Sequence, residues 1–258
     1  MRLTTLSLLF AFFALVGLGL TNADASTLAG DTFSYTGALT ANGWTAHSGA
    51  GAKQIMANGS TATLDQSGGS GEDVNLGFSP LGATDKVYGS MLVNVQSGGG
   101  DPVGDFPLDA SGLYFTHFMD SGFAFRARTF VAAPVAGGDF TFGLSADDAT
   151  HDATFANDFS YDTWYKLVLS YDAATGGSEL WVDPIDELSP KITDASPSTG
   201  TIIQAIALRQ SNDYTGFIEI DNVGAGTTFM DSMIPEPASV VLALLAGLGL
   251  VSVGRKRR

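Results

Sequence analysis

Short runs of alternating apolar and polar residues, each closed by Gly, Asp, Asn or Ser, recur from Thr32 to Val223, and no stretch between them sustains a helical period. A period of two sends successive side chains to opposite faces of a strand, so a chain written this way buries one face of many short strands. The runs read as strands are Thr32–Gly37, Trp44–Ser48, Ala62–Asp65, Lys86–Val95, Gly112–Asp120, Gly122–Val131, Gly138–Ser145, Trp164–Asp172, Ser178–Asp183, Ile202–Gln210 and Gly216–Val223. Strands of this length spaced by turn residues predict an all-β, antiparallel sandwich or barrel.

Two runs show the alternation most clearly. Tyr165, Leu167, Leu169 and Tyr171 share one face, opposite Trp164, Lys166, Val168 and Ser170. In the last run Ile218 and Ile220 oppose Glu219 and Asp221. Each reads as a half-buried strand with one core face and one wetter face. Asp120-Ser121-Gly122 sits between two apolar runs and predicts a hairpin. The Gly-rich stretches Gln66–Glu72 and Ser97–Asp105 read as loops between strands.

Both ends of the chain read as addressing signals. Arg2 precedes the uncharged run Leu6–Leu20, and Ala23-Asp24-Ala25 supplies the small residues a signal peptidase needs, with cleavage expected before Ser26. At the other end, Pro235-Glu236-Pro237 leads into Ala238–Val253, which carries no charge, and then into Arg255-Lys256-Arg257-Arg258. At about 1.5 Å per residue this helix reaches roughly 25 Å, the short limit of a bilayer span, with the basic end cytoplasmic. Hydropathy alone also fits an ordinary single-pass anchor. The tripeptide, helix and basic tail in this order resemble the PEP-CTERM sorting signal of bacteria. That resemblance implies recognition at the inner membrane by an exosortase-type enzyme, processing near Pro235, Glu236 and Pro237, and release toward the cell surface or extracellular matrix. The expected organisation is a signal peptide over 1–25, one β-sandwich domain over 26–233, and the sorting segment over 234–258.

Between the signals lie 7 Lys and Arg against 25 Asp and Glu, a net charge of −18. Phosphate contacts need clustered cations, so the balance argues against nucleic acid or anionic lipid as a partner of the domain surface. It permits divalent cations. The chain has no cysteine, which removes disulfides, thiolate metal sites and a Cys nucleophile and leaves stability to a sizeable core. The 17 Phe, 7 Tyr and 3 Trp of the chain can supply one.

Thr163–Pro184 (TWYKLVLSYDAATGGSELWVDP) resembles a hairpin of concanavalin A-like or laminin G-like jelly rolls. Ile218–Val223 (IEIDNV) resembles the last strand of such domains, and Val223–Phe229 (VGAGTTF) their closing segment. The resemblance implies an antiparallel two-sheet jelly roll. It carries no activity, because this fold hosts lectins, adhesion modules, glycosidases and lyases alike.

Three constellations bear on chemistry. Glu219 and Asp221 share a strand face, as the nucleophile and helper of jelly-roll glycosidases do, but Gly224 stands where those enzymes carry the acid/base Glu. Asp147, Asp148 and Asp152, with His151 among them, form an oxygen-rich loop and are the expected ligands of a structural calcium ion; Asp101 and Asp105 form a second acidic loop. His47, His117 and His151 are scattered along the sequence without a metal-ligand spacing. Trp44, Trp181 and Tyr214 can stack on sugar rings or pack as core. The reading favoured by the sequence is a non-catalytic structural or adhesive surface module binding exopolysaccharide. Its alternative is a carbohydrate-active enzyme.

Overall fold

The computed structural model describes residues 27–66, 71–97, 113–210 and 216–233. The expected signal peptide, the sorting segment from Pro235 onward, Tyr214 and the Asp101/Asp105 loop lie outside the described residues. In chain order the strands are β1 (Thr27–Asp31), β2 (Thr36–Ala38), β3 (Thr45–Ser48), β4 (Met56–Asn58), β5 (Ala62–Asp65), β6 (Asp73–Gly77), β7 (Lys86–Val95) and β8 (Leu113–Met119). They continue as β9 (Phe125–Ala132), β10 (Thr141–Ser145), β11 (Ala153–Thr154), β12 (Trp164–Asp172), β13 (Gly177–Val182), β14 (Lys191–Ala195), β15 (Ala205–Leu208) and β16 (Phe217–Gly226), with a short helix α1 (Phe229–Ser232) after the last.

These strands form two antiparallel sheets. The nine-stranded sheet runs β14-β13-β12-β7-β16-β5-β4-β2, with β1 beside the second half of β16. The seven-stranded sheet runs β11-β10-β9-β8-β15-β6-β3. The chain crosses repeatedly between sheets, and its first and last strands pair with each other, which closes the jelly roll. Fold class and hairpins match the sequence expectation. Asp120-Ser121-Gly122 joins β8 to β9, and the Thr163–Pro184 segment forms the β12–β13 hairpin.

The core is the space between the sheets. Val87, Met91, Leu167, Leu169, Ile218 and Ile220 from the nine-stranded sheet meet Phe115, Phe118, Leu144, Ile206 and Leu208 from the seven-stranded one. Burying each such side chain contributes about 1.5–3 kcal/mol, enough for a domain without disulfides. A second, smaller cluster lies on the outer face of the nine-stranded sheet, where Phe229 of α1 packs on Tyr88, Val168 and Trp181. Among the described residues no helix is long and apolar enough to cross a membrane.

Three departures from the expected strands have local causes. Thr32–Gly37 is not one strand, because Asp31 gathers the Phe33 N–H at 2.8 Å, the Tyr35 hydroxyl at 2.6 Å and the Trp44 indole at 2.7 Å. The chain turns there with Phe33 at φ 49°. Gly138–Ser145 shortens to β10, since the Gly138 N–H donates to Asp158 instead of to a ladder. The segments DVNLG and KITDA, not read as strands, form β6 and β14.

Candidate functional site

The outer face of the seven-stranded sheet carries a strip of aromatic and basic side chains that strict alternation does not produce. On β8, Phe115 and Phe118 point into the core, while Tyr114 and His117 share the outer face. Two register irregularities, between Tyr114 and Thr116 and between Thr116 and Phe118, make this three-residue spacing possible. Across the ladder, Ala127 takes φ 51° and sits in the core, so Phe125 and Arg128 on either side of it both face outward. A left-handed alanine costs roughly 1 kcal/mol, and such strain persists where the surroundings over-determine it, often beside functional groups. Irregular β positions commonly re-aim side chains in this way.

The result is a continuous strip. His47 from β3 meets His117 with ring centroids 5.8 Å apart, and His117 lies 4.1 Å from Phe125 and 5.7 Å from Tyr114. Tyr114 meets Phe130 at 5.6 Å, and Phe130 meets His151 at 5.9 Å. The guanidinium of Arg128 sits 4.9 Å from the Tyr114 ring centre, and that of Arg209, just after β15, sits 4.2 Å from it. The three histidines, scattered in sequence, therefore border one face, and two of them are in contact.

Polar atoms in this strip lack hydrogen-bond partners. Both ring nitrogens of His117, which is 0 % exposed, Nδ1 of His47 and Nε of Arg128 are buried without one. Each such group costs about 1–3 kcal/mol, so a cluster of them on one face calls for a reason other than stability. Burial, then the charge of Arg209, holds the His47 imidazole down to about 4. Burial first, then the charges around it, holds His117 well below its ordinary value. Both are neutral near pH 7. Burial also lowers Arg128, and Arg209 adds to the effect while Tyr114, Asp147 and Asp148 oppose it. At the edge of the strip, burial raises Asp73 to about 6, against the Gln210 N–H and Arg209.

The other expected site residues are distributed elsewhere. Asp147 accepts from the Ser196 hydroxyl, Asp152 accepts from the Ser145 hydroxyl at 2.7 Å, and the Asp148 N–H donates to that same Ser145 oxygen at 2.8 Å. Among the described residues no three His, Asp or Glu side chains are placed to hold one metal ion. Glu219 and Asp221 do share a face, the outer one of the nine-stranded sheet. There Glu219 accepts from Asn94 at 3.4 Å, and Asn94 stands opposite Trp164. Trp44 and Trp181 are no sugar platforms: Trp44 is stacked on Phe33 in the core, and Trp181 is fully buried under Phe229.

The fold and this face define a concanavalin A-like jelly roll with a polar-aromatic strip on its seven-stranded sheet. Among solved structures, the chain is similar to a sialidase at TM-score 0.54 and 15% identity, over 81% of this chain and 19% of that one. It thus spans about a fifth of that sialidase's length. It is similar to the T. cruzi calreticulin globular domain at TM-score 0.50 and 7% identity, over 80% and 90% of the two chains. A basic winged bean lectin with Tn-antigen aligns at TM-score 0.46 and 11% identity, over 77% and 96%. At these identities the likeness is one of fold alone. No protein-family model matches the chain, and no curated protein matches it in sequence.

Proposed function

We propose that this protein is an exported, non-catalytic module of the cell surface or extracellular matrix that binds polysaccharide on the outer face of its seven-stranded sheet. The observation that carries the reading is the strip itself. The half-buried rings of Tyr114 and Phe125 give a sugar apolar faces to lie on, and the half-buried guanidiniums of Arg128 and Arg209 beside them offer hydrogen bonds to hydroxyls. The fold alone would not support this, since the same architecture carries many activities. A glycan array probed with the protein, once with calcium and once with chelator, tests it. Saturable binding without released product is expected, and loss under chelator would bring in the Asp147–Asp152 loop as a calcium site. Binding to no glycan would refute the reading.

Sorting belongs to the same proposal. Phe229 pins α1 to Tyr88 and Trp181, 5.3 Å from the Trp181 ring, on the outer face of the nine-stranded sheet. Signal peptidase and an exosortase-type enzyme are the implied processing partners. Alanine replacement of Pro235, Glu236 and Pro237 is expected to leave unprocessed protein in the inner membrane; normal release of that variant would defeat the sorting hypothesis.

One observation favours a second reading, a carbohydrate-active enzyme. Trp164, Asn94 and Glu219 stand opposite one another across β12, β7 and β16, with Asp221 two residues beyond Glu219 on the same face, and Trp164 is 41% exposed. Sugar release abolished by Glu219→Gln would establish it.

A further inference from the structure

We infer that the ligand of the seven-stranded face is an acidic polysaccharide, whose sugar-borne oxyanion is held by Arg128 and Arg209 over Tyr114. The inference rests on the carbohydrate-binding reading above and names the class of ligand.

The seven cations of this acidic domain are placed in different ways. Lys53 pairs with Asp65, Lys86 and Lys191 share Glu179, and Arg126 donates to the Thr201 hydroxyl at 3.1 Å. Arg126, Lys166, Arg128 and Arg209 make no ion pair with any described residue, in a domain with 25 acids against 7 bases, and of these four the last two stand together. They gather instead on one ring, at 4.9 and 4.2 Å from the Tyr114 centre. Asp147 and Asp148 act on Arg128 without forming an ion pair with it. Two guanidiniums held together, one with a buried Nε that has no partner, are unfavourable for each other, and neither can shed its proton at ordinary pH.

An oxyanion at the exposed ends of the two guanidiniums relieves their mutual repulsion. A carboxylate or sulfate presents planar or tripod oxygens to guanidinium forks in charge-assisted hydrogen bonds, about twice as strong as neutral ones. Tyr114 and Phe125, both half-buried, extend the surface beyond such an ion. A free inorganic anion has no use for that apolar extension, whereas the ring of a uronate or sulfated sugar does. The net charge of −18 works against a polyanion at long range, but that repulsion is screened beyond roughly 10 Å at 0.1 M salt, while contacts at hydrogen-bond distance are not. The local pair therefore decides.

The test uses the full chain at roughly physiological salt, titrated with oligogalacturonate, with its neutral methyl ester, and with dextran sulfate. Oligogalacturonate or dextran sulfate is expected to bind, the stronger of the two identifying carboxylate or sulfate as the natural oxyanion, and the methyl ester to bind about tenfold or more weakly. Arg128→Gln and Arg209→Gln should each weaken the acidic ligand by about tenfold to a hundredfold, the range of one lost charge-assisted contact. Lys166→Gln, on the other sheet, should leave it unchanged. Removing an unpaired half-buried cation should not lower the melting temperature, so loss of binding in a stable Arg128→Gln variant is interpretable, and Arg209→Gln repeats the test independently. Equal affinity for the ester, or full affinity in both Arg variants, overturns the inference while leaving sugar binding intact. Binding to none of the three probes, with binding to a neutral glycan elsewhere on an array, overturns it too. Silence on every glycan removes the parent reading instead.

Discussion

Gly89 lies on β7, the strand at the middle of the nine-stranded sheet, and its missing side chain lets the two sheets approach. A Cβ built there would stand 2.8 Å from Ile206 Cδ1, 3.0 Å from Phe118 Cζ and 3.1 Å from Leu169 Cδ2. All three neighbours are 0% exposed and locked between the sheets, so they can yield only by leaving good rotamers. Overpacking of this kind costs about 1–3 kcal/mol. Against it stands the gain from replacing glycine in a strand, about 0.5–1 kcal/mol. Gly89→Ala should therefore lose about 1 kcal/mol net, which in a domain of this size lowers the melting temperature by roughly 2–4 °C. Urea unfolding followed by tryptophan fluorescence reads it from both sides of the nine-stranded sheet, since Trp44 lies in the core and Trp181 in the outer cluster. Phe118→Leu, which shortens the ring that Cβ would strike, should recover about 1 kcal/mol of that loss in the double variant. A Gly89→Ala protein as stable as the parent, or strictly additive effects in the pair, would refute the claim that Gly89 sets the spacing of the sheets.

Acid should destabilise the domain through its outer-face histidines. His47 is held down to about 4 and His117 well below its ordinary value of 6.5, so the unfolded chain binds more protons than the native one, and stability is lost as pH falls from about 6.5 toward 4. Asp73, raised to about 6, works in the opposite sense over the same window, because there the native state holds the extra proton. Two groups outweigh one. Melting temperature should fall between pH 7 and 5, less steeply in His117→Gln and more steeply in Asp73→Asn, and a flat profile in the parent protein would contradict this account. Phe229→Ala should cost about 2 kcal/mol, below the 3–5 typical of an enclosed core because its cluster lies on an outer face. Limited proteolysis should then cut near Met233 sooner than in the parent protein, and unchanged cleavage would argue that α1 is not the anchor.

Much of the architecture could be read from the chain because strands with one buried face advertise it. Tyr165, Leu167, Leu169 and Tyr171 all pack inward, and Ile218 and Ile220 do the same, as their alternation implies. What escaped was written in weaker signals. β14 is an edge strand with no buried residue, so KITDA has no apolar face to betray it. β6 follows a Gly-rich stretch and offers only Val74 and Leu76. The break after Asp31 depends on three donors, the farthest of them Trp44, that no local pattern names. The candidate site was the least legible part, for a physical reason. Alternation places residues of one parity together, and the strip pairs residues of opposite parity, Tyr114 with His117 and Phe125 with Arg128. Its remaining members arrive from β3, from the end of β15 and from the turn after β10. Nothing in the spacing of His47, His117, Arg128 and Arg209 announces that topology will bring them together.

The two outer faces of this sandwich differ in how many polar groups they leave unmatched, and the contrast supports a functional reading of one of them. On the nine-stranded sheet, Lys86 reaches Glu179 at 2.6 Å and Tyr88 donates to Glu187 at 2.5 Å. Ser90 donates to the Ser232 carbonyl at 2.6 Å, and the Trp181 indole donates to the Glu187 carbonyl at 3.3 Å. Burial pushes Glu179 up, but hydrogen bonds from Lys191 and Lys86 outweigh it and hold the carboxyl below its usual range. Most polar groups there are matched within the protein, the buried Oδ1 of Asn94 being an exception. On the seven-stranded sheet, a strained alanine and two register irregularities bring together imidazoles and guanidiniums that the protein itself leaves unmatched. Both faces cover the same core and are equally free to be plain. A chain that satisfies most polar groups on one side and gathers cations and unsatisfied imidazoles on the other marks the second face as the one under functional constraint.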